Sequence, residues 1–176
     1  MIAQLTLEGA WLIAGDRRYA CSVGRGGTTS DKREGDLKTP TGEFALRWCY
    51  YRPDRIETPD TMLPLIALTP DDGWCDDVAH RLYNQPIKLP FEGRHEKLWR
   101  DDRIYDLIIP LGYNDAPPVP GRGSAIFLHL RRPDGIGTEG CVALELSDLL
   151  ALLPDLSTQT HIKITAPVFH PAASPG

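Results

Sequence analysis

"LHLRRPDGIGTEGCVALELS", residues 128–147, places a histidine and a cysteine at the two ends of a loop rich in glycine. The flanks are apolar: "SAIFLHL" before it and "CVALEL" after it both read as strands. His129 is the near-terminal residue of the first run. The turn "RRPDGIGTEG" is expected to reverse the chain and deliver Cys141 at the start of the second. Strand ends joined in this way bring an imidazole and a thiol within hydrogen-bond reach. A thiol nucleophile needs that partner, because an unassisted thiol with a pKa of about 8.5 is mostly protonated at neutral pH. An activated Cys141 would be alkylated with a pH midpoint below that value. Gly140 lets the backbone approach closely, and an amide N–H beside it can stabilise an oxyanion. The same residues also suit a core cysteine and a histidine bonded to a neighbouring carbonyl. The pattern alone leaves both readings open.

Outward from this stretch the signal is β. "IAQLTL" and "WLIAG" flank Glu8-Gly9 as a hairpin, and "RYACSVG" follows the Gly15-Asp16 turn. In "EFALRWCYY", alternation puts Phe44, Leu46, Trp48 and Tyr50 on one face of one strand. "LPLIALT", "IYDLIIPLG" and "HIKIT" are further strands. One helix is expected at "LLALLP", capped by Ser147 and Asp148 and stopped by Pro154. The Gly- and Pro-rich stretches 25–41 and 112–123 are loops, and "GWCDDVAHRLYN" reads as a long loop ordered by Asp76, Asp77 and Asn84.

Composition bounds the class. The chain has 176 residues, 41% of them hydrophobic, enough for one domain with a real core. A single domain over 1–166 and a flexible tail over 167–176 ("PAASPG" at its end) are expected. A net charge of −5 argues against nucleic acid or an anionic membrane as main partner. No run approaches the roughly 18 apolar residues of a spanning helix, so no membrane insertion is expected. The N-terminal residues lack a basic segment and carry Glu8 within their apolar part, which does not fit a signal peptide. The cysteines at 21, 49, 75 and 141 form no CxxC pair and are not expected to form bridges. Cys75 and His80 with two aspartates between them match no zinc spacing, so no metal site is predicted there.

Residues 124–146 resemble the catalytic segment of the YkuD-type L,D-transpeptidases: a strand ending in His, a glycine-bearing loop, then Thr138-Glu139-Gly140-Cys141-Val142. Upstream, "GRGGTTSDKREGDLKTPTGEFAL" is similar to the family's glycine-bearing strand end and its Lys-Thr-Pro-Thr-Gly-x-Phe turn. The helix and the closing strand "HIKIT" also fall where the family has them, so the resemblance spans about Leu5 to Thr165. It implies a mainly β fold, a YkuD-like mixed β-sheet sandwich with one or two short helices. It implies a cysteine acyltransferase that forms peptidoglycan cross-links at meso-diaminopimelate and releases a D-amino acid, with no metal and no organic cofactor. The partners would be peptidoglycan stem peptides, the protein a monomer, and the site of action the periplasm or cell envelope. The catalytic set would be Cys141 as nucleophile, His129 as base with the Leu130 carbonyl as its orienter, and Gly140.

The departures are specific. A histidine usual before Gly-Cys is Glu139, an acid beside the nucleophile that raises the thiol pKa unless an arginine such as Arg131 or Arg132 offsets it. The arginine or asparagine common two residues after the cysteine is Ala143, which leaves Arg122 as the first candidate to grip a substrate carboxylate. These changes suggest a 1,3 link in place of the common 3,3 link. Thr138, Glu139, Arg131, Tyr105, Tyr113 and Asn114 complete the candidate substrate contacts, the aromatic residues also fitting core or rim packing. Lys38 and Thr39 are expected to fix a hairpin near the site. A hydrolytic enzyme of the same site, a carboxypeptidase or endopeptidase, and a non-catalytic wall-peptide-binding domain are the alternatives.

Overall fold

The computed structural model describes residues 1–166; the tail expected at 167–176 lies outside them. In chain order the strands are β1 (Gln4–Glu8), β2 (Trp11–Ala14), β3 (Arg17–Ser22), β4 (Thr28–Thr29), β5 (Thr39–Pro40), β6 (Gly42–Ala45), β7 (Cys49–Tyr51) and β8 (Leu65–Ala67). They continue with β9 (Asp72–Cys75), β10 (Pro86–Lys88), β11 (His95–Lys97), β12 (Leu107–Pro110), β13 (Phe127–Leu130), β14 (Val142–Leu144) and β15 (His161–Ile164). The helix α1 (Leu146–Leu152) runs into a 3₁₀ turn at Leu153–Asp155. The fold is mainly β, a curled mixed sheet with a single short helix. Among the described residues no helix is long and apolar enough to cross a membrane.

Ten strands make one sheet in the order β6-β15-β1-β2-β3-β14-β13-β12-β7-β8. The segment expected as one strand, "EFALRWCYY", is two, near opposite ends of this order. Between them the backbone changes partner within two residues. Leu46 N–H donates to Thr160 O beside β15 (3.0 Å), and Arg47 N–H donates to Pro110 O at the end of β12 (3.0 Å). This crossing draws the two ends of the sheet together and curls it. Leu46 is buried in the interior thus formed.

Alternation along the strands sends one set of residues inside the curl and the other outside. The inner face is aliphatic: Leu5, Leu7, Leu12, Leu107, Ile109, Leu128, Leu130, Val142 and Leu144 meet Leu149, Leu152, Leu153 and Leu156 from the helical segment. The helix starts at Glu145, which makes no side-chain cap. Ser147 and Asp148 lie in its first turn, contrary to the expected capping, and Pro154 sits inside the 3₁₀ turn. Burial of Leu149 and Leu152 holds a helix that has no side-chain N-cap.

The outer face of β7, β12 and β13 is covered by a second sheet, in the order β10-β9-β11. The sequence reading took part of this region as loop. Its strands are three or four residues long and include Pro86 and several charges, so no alternation shows. Tyr50, Leu68, Trp74, Leu98, Tyr105, Ile108 and Phe127 form the core between the two sheets. Asn84 ties this layer together. Its Oδ1 accepts from Trp74 Nε1 (3.0 Å) and Ala125 N–H (3.0 Å), and its Nδ2 donates to the carbonyls of Tyr113 (3.0 Å) and Asn114 (2.8 Å). Asp76 pairs with Arg94, and Asp77 accepts from the Ala79 and Arg94 N–H groups, so both order a loop as expected.

Candidate active site

Strands β13 and β14 are parallel, with Leu128 opposite Val142 and His129 opposite Ala143. The loop after Leu130 therefore does not reverse the chain; it carries it back along β13 before β14 begins. A parallel pair requires such a crossover, and residues 131–141 supply a short one without a helix. On the way, Thr138 bridges to Gly24 beyond the end of β3, donating its N–H to Val23 O (2.9 Å) and accepting from Arg25 N–H (2.9 Å). Cys141 consequently lies beside the start of β13, and Phe127 N–H donates to its Sγ at 3.3 Å. Alternation puts Cys141 and Ala143 on the outer face with Phe127 and His129, as Val142 and Leu144 go inward with Leu128 and Leu130. Thiol and imidazole are diagonal neighbours on one face of adjacent strands, and both line one cavity of about 520 Å³.

The two sequence motifs meet at this point. Thr39 Oγ1, fully buried, accepts from Gly24 N–H (2.8 Å) and donates to the Cys141 carbonyl (3.4 Å). Thr138 Oγ1 donates to the same carbonyl (2.6 Å) and accepts from Gly140 N–H (3.2 Å). Gly140 has φ +145°, and a Cβ there would stand 2.9 Å from the Lys38 carbonyl oxygen. A side chain at 140 would push the Lys38-Thr39 turn off the nucleophile's backbone. Lys38 and Thr39 are thus a brace for the Cys141 segment.

His129 is held from both sides. Its Nδ1 donates to the Leu130 carbonyl at 2.8 Å, which leaves Nε2 as the basic nitrogen. The Tyr105 ring packs edge-on against the imidazole at 5.2 Å between centroids. Burial pushes the imidazole down to about 4, against the raising effect of the Leu130 and Ile104 carbonyls. Burial also pushes the Cys141 thiol up to about 12, with the nearby Glu96 carboxyl adding to the effect and the Phe127 N–H opposing it. The thiol donates to the Ala125 carbonyl at 3.2 Å. Among the described residues the imidazole is not one of its partners. The resting site is therefore a neutral thiol beside a neutral imidazole, not the pre-ionised thiol that a midpoint below 8.5 would report.

The charged rim differs from expectation. Glu139 is paired with Arg25 (3.1 Å), which the sequence reading did not single out. Arg131 reaches Ser22 Oγ (2.9 Å), and Arg132 pairs with Asp134 at the cavity edge. Thr138, Glu139 and Tyr105 line the cavity with the catalytic candidates. Arg122, Tyr113 and Asn114 do not: Arg122 pairs with Asp31, Tyr113 donates its hydroxyl to the Arg122 carbonyl, and Asn114 bonds Val119 and Gly123. In their place the cavity presents Lys32, Arg94 and Arg100 as cations and Glu34, Asp76 and Glu96 as acids. Only the position of the three-stranded sheet reveals Glu96. Cys21, Cys49 and Cys75 are free and buried, like Cys141. His80 Nδ1 accepts from Leu82 N–H, and no three potential metal-binding side chains converge among the described residues.

A family model for the L,D-transpeptidase catalytic domain (YkuD) matches residues 10–165. The chain belongs to that family. No curated protein matches it. Among solved structures, a crystal structure of Mycobacterium tuberculosis L,D-transpeptidase 1 is similar at a TM-score of 0.39 and 10% sequence identity. The match covers 93% of this chain and 60% of that one.

Proposed function

We propose that the domain is a cysteine L,D-transpeptidase that works through a thioester on Cys141. The observation that carries this reading is the placement of Cys141 and His129 on one face of adjacent parallel strands, opening into a common cavity. When a stem peptide enters, the thiol leaves the Ala125 carbonyl and gives its proton to Nε2 of His129. The thiolate attacks the carbonyl that follows the L-centre of diaminopimelate. The C–N bond to the D-amino acid breaks, and the departing amine takes the proton back from His129. An acceptor amine then attacks the thioester and returns a proton to His129, and Cys141 leaves as thiolate to form the new amide link. The braces from Thr39 and Thr138 fix the Cys141 carbonyl, so the adjoining peptide groups keep one orientation throughout.

Two resting groups that are both neutral suit a site that must not react with water-borne electrophiles until the substrate is seated. The reading places the work in the cell envelope, on peptidoglycan stem peptides. Attack at the diaminopimelate carbonyl gives a 3,3 link. A 1,3 link through L-alanyl-diaminopimelate, which the changes at Glu139 and Ala143 suggest, would instead need attack at the L-alanine carbonyl and expulsion of the rest of the stem. Mass spectrometry of muropeptides tests it, after diaminopimelate-type peptidoglycan is incubated with wild type and with Cys141→Ala. New dimers seen with wild type alone are expected, and their fragmentation separates 1,3 from 3,3 links. Shortened monomers would instead mean a carboxypeptidase, and shortened cross-links an endopeptidase. Profiles that do not depend on Cys141 would contradict the reading and favour a wall-peptide-binding domain.

A further inference from the structure

The three-stranded sheet contributes one residue to the cavity that the reaction above leaves unused. Glu96, the central residue of β11, is partly buried and lines the same cavity as Cys141 and His129. Tyr105, whose ring packs on His129, donates its hydroxyl to Glu96 Oε2 at 2.7 Å. Among the described residues Oε1 has no hydrogen-bond donor, so the carboxyl offers the cavity a free acceptor. Burial pushes the carboxyl above the usual carboxylate range, with Asp76 and Glu139 adding to the effect and the Tyr105 hydroxyl and Arg100 opposing it. Arg100 is itself committed to Asp102 (2.5 Å). Lys32, the buried cation whose charge acts on Cys141, is committed to Asp36 and the Arg33 carbonyl, and Arg94 is paired with Asp76.

A carboxylate in this position conflicts with the reaction. Glu96, partly buried, and Cys141, buried, line one cavity, where two like charges repel more than in bulk solvent. An anionic nucleophile beside an anionic Glu96 is costly unless a cation enters with the substrate. We propose that Glu96 is a specificity-determining residue that receives the ammonium group of the acyl donor's diamino residue, and that this bound cation releases Cys141 for attack. The inference rests on the reading of Cys141 as nucleophile. It makes the donor's ammonium group a condition for thiol ionisation as well as a binding contact. A donor lacking that group leaves the thiol on the Ala125 carbonyl.

Alkylation of Cys141 by iodoacetamide, followed by peptide mass spectrometry across a pH series, tests this without turnover. The pH midpoint is read, because a ligand seated over the thiol also slows the reaction. Free wild type should have a midpoint well above 8.5. meso-Diaminopimelate should lower it by a unit or more, whereas pimelate, with the same chain and carboxylates but no ammonium group, should not. Glu96→Gln should start at the lower midpoint and show no further response to diaminopimelate. Equal effects of the two ligands on wild type would overturn the proposal, even if Glu96→Gln fails to fold. So would a Glu96→Gln midpoint equal to that of wild type. A Cys141-independent muropeptide profile together with the expected alkylation pattern would instead mean that the ammonium site exists and the transpeptidase reading fails.

Discussion

The two faces formed by residues 127–130 of β13 and 141–144 at and before β14 are built from alternate residues of the same eight positions and do different work. Inward, Leu128, Leu130, Val142 and Leu144 enter an aliphatic core in which three of the four are fully buried. Outward, Phe127, His129, Cys141 and Ala143 meet aromatic rings and polar side chains: Trp74 on Phe127 at 5.0 Å, Tyr105 on His129 at 5.2 Å, and Glu96 behind Tyr105. The inner face sets where the strands lie. The outer face uses that rigidity to hold two titratable groups in neutral forms, at the expense of their solvation. A one-residue slip would exchange the two sets, so the core residues also fix the register of the chemistry.

The largest expected effect is on the inner face. Leu128→Ala should destabilise the fold by roughly 3–4 kcal/mol in chemical denaturation, the range for a fully buried leucine in a tight core. Cys141→Ala, one strand away on the outer face, should remove activity and leave stability within about 1 kcal/mol. Similar losses for the two would erase the distinction between the faces.

The His129 environment gives the next effect. Between pH 6.5 and about 4 the unfolded chain binds a proton at this residue that the folded chain does not. Stability therefore falls as pH drops through that window, by about 3 kcal/mol from this group. His129→Gln should lose that share of the acid sensitivity, read as the difference between the two stability–pH curves. In wild type the acid limb of kcat/KM should lie nearer pH 4 than 6.5, because that limb reports the base in the free enzyme.

Thr39→Val should cost roughly 1–2 kcal/mol, since it leaves the Gly24 N–H without its buried acceptor. It should also lower kcat by loosening the Cys141 carbonyl. The smallest effect is at the rim: Arg25→Ala breaks an exposed pair with Glu139 and should change stability by less than about 0.5 kcal/mol. A larger loss would mean that the Glu139 pair braces the loop.

Much of the inner face was legible in the sequence because it consists of strands with regular apolar alternation and clear turns. The hairpin at Gly9, the helix after β14 and the closing strand at 161–164 all appear near the expected residues. "EFALRWCYY" misled because alternation persists through the crossing at 45–47, where the partner strand changes but the side-chain period does not. The crossover at 131–141 read as a reversal because a glycine-rich loop carries no mark of parallel or antiparallel pairing. The outer face was less legible. His129 and Cys141 stood out by residue type, whereas Glu96, Lys32 and Arg25 come from distant segments that only the fold brings to the cavity. Arg122, Tyr113 and Asn114 were chosen for their chemistry, and the structure engages them in ordering the 112–123 loop.

The most direct measurement is the intact mass of the protein within seconds of mixing with a diaminopimelate-containing stem tetrapeptide, followed by mapping of the modified peptide. The account predicts an adduct on Cys141 whose mass equals the tetrapeptide minus the free D-amino acid that is released. It also predicts no adduct on Cys141→Ala and slow formation on His129→Gln. An adduct on another residue, or D-amino acid release that survives Cys141→Ala, would contradict the assignment of the chemistry to the outer face of β13 and β14.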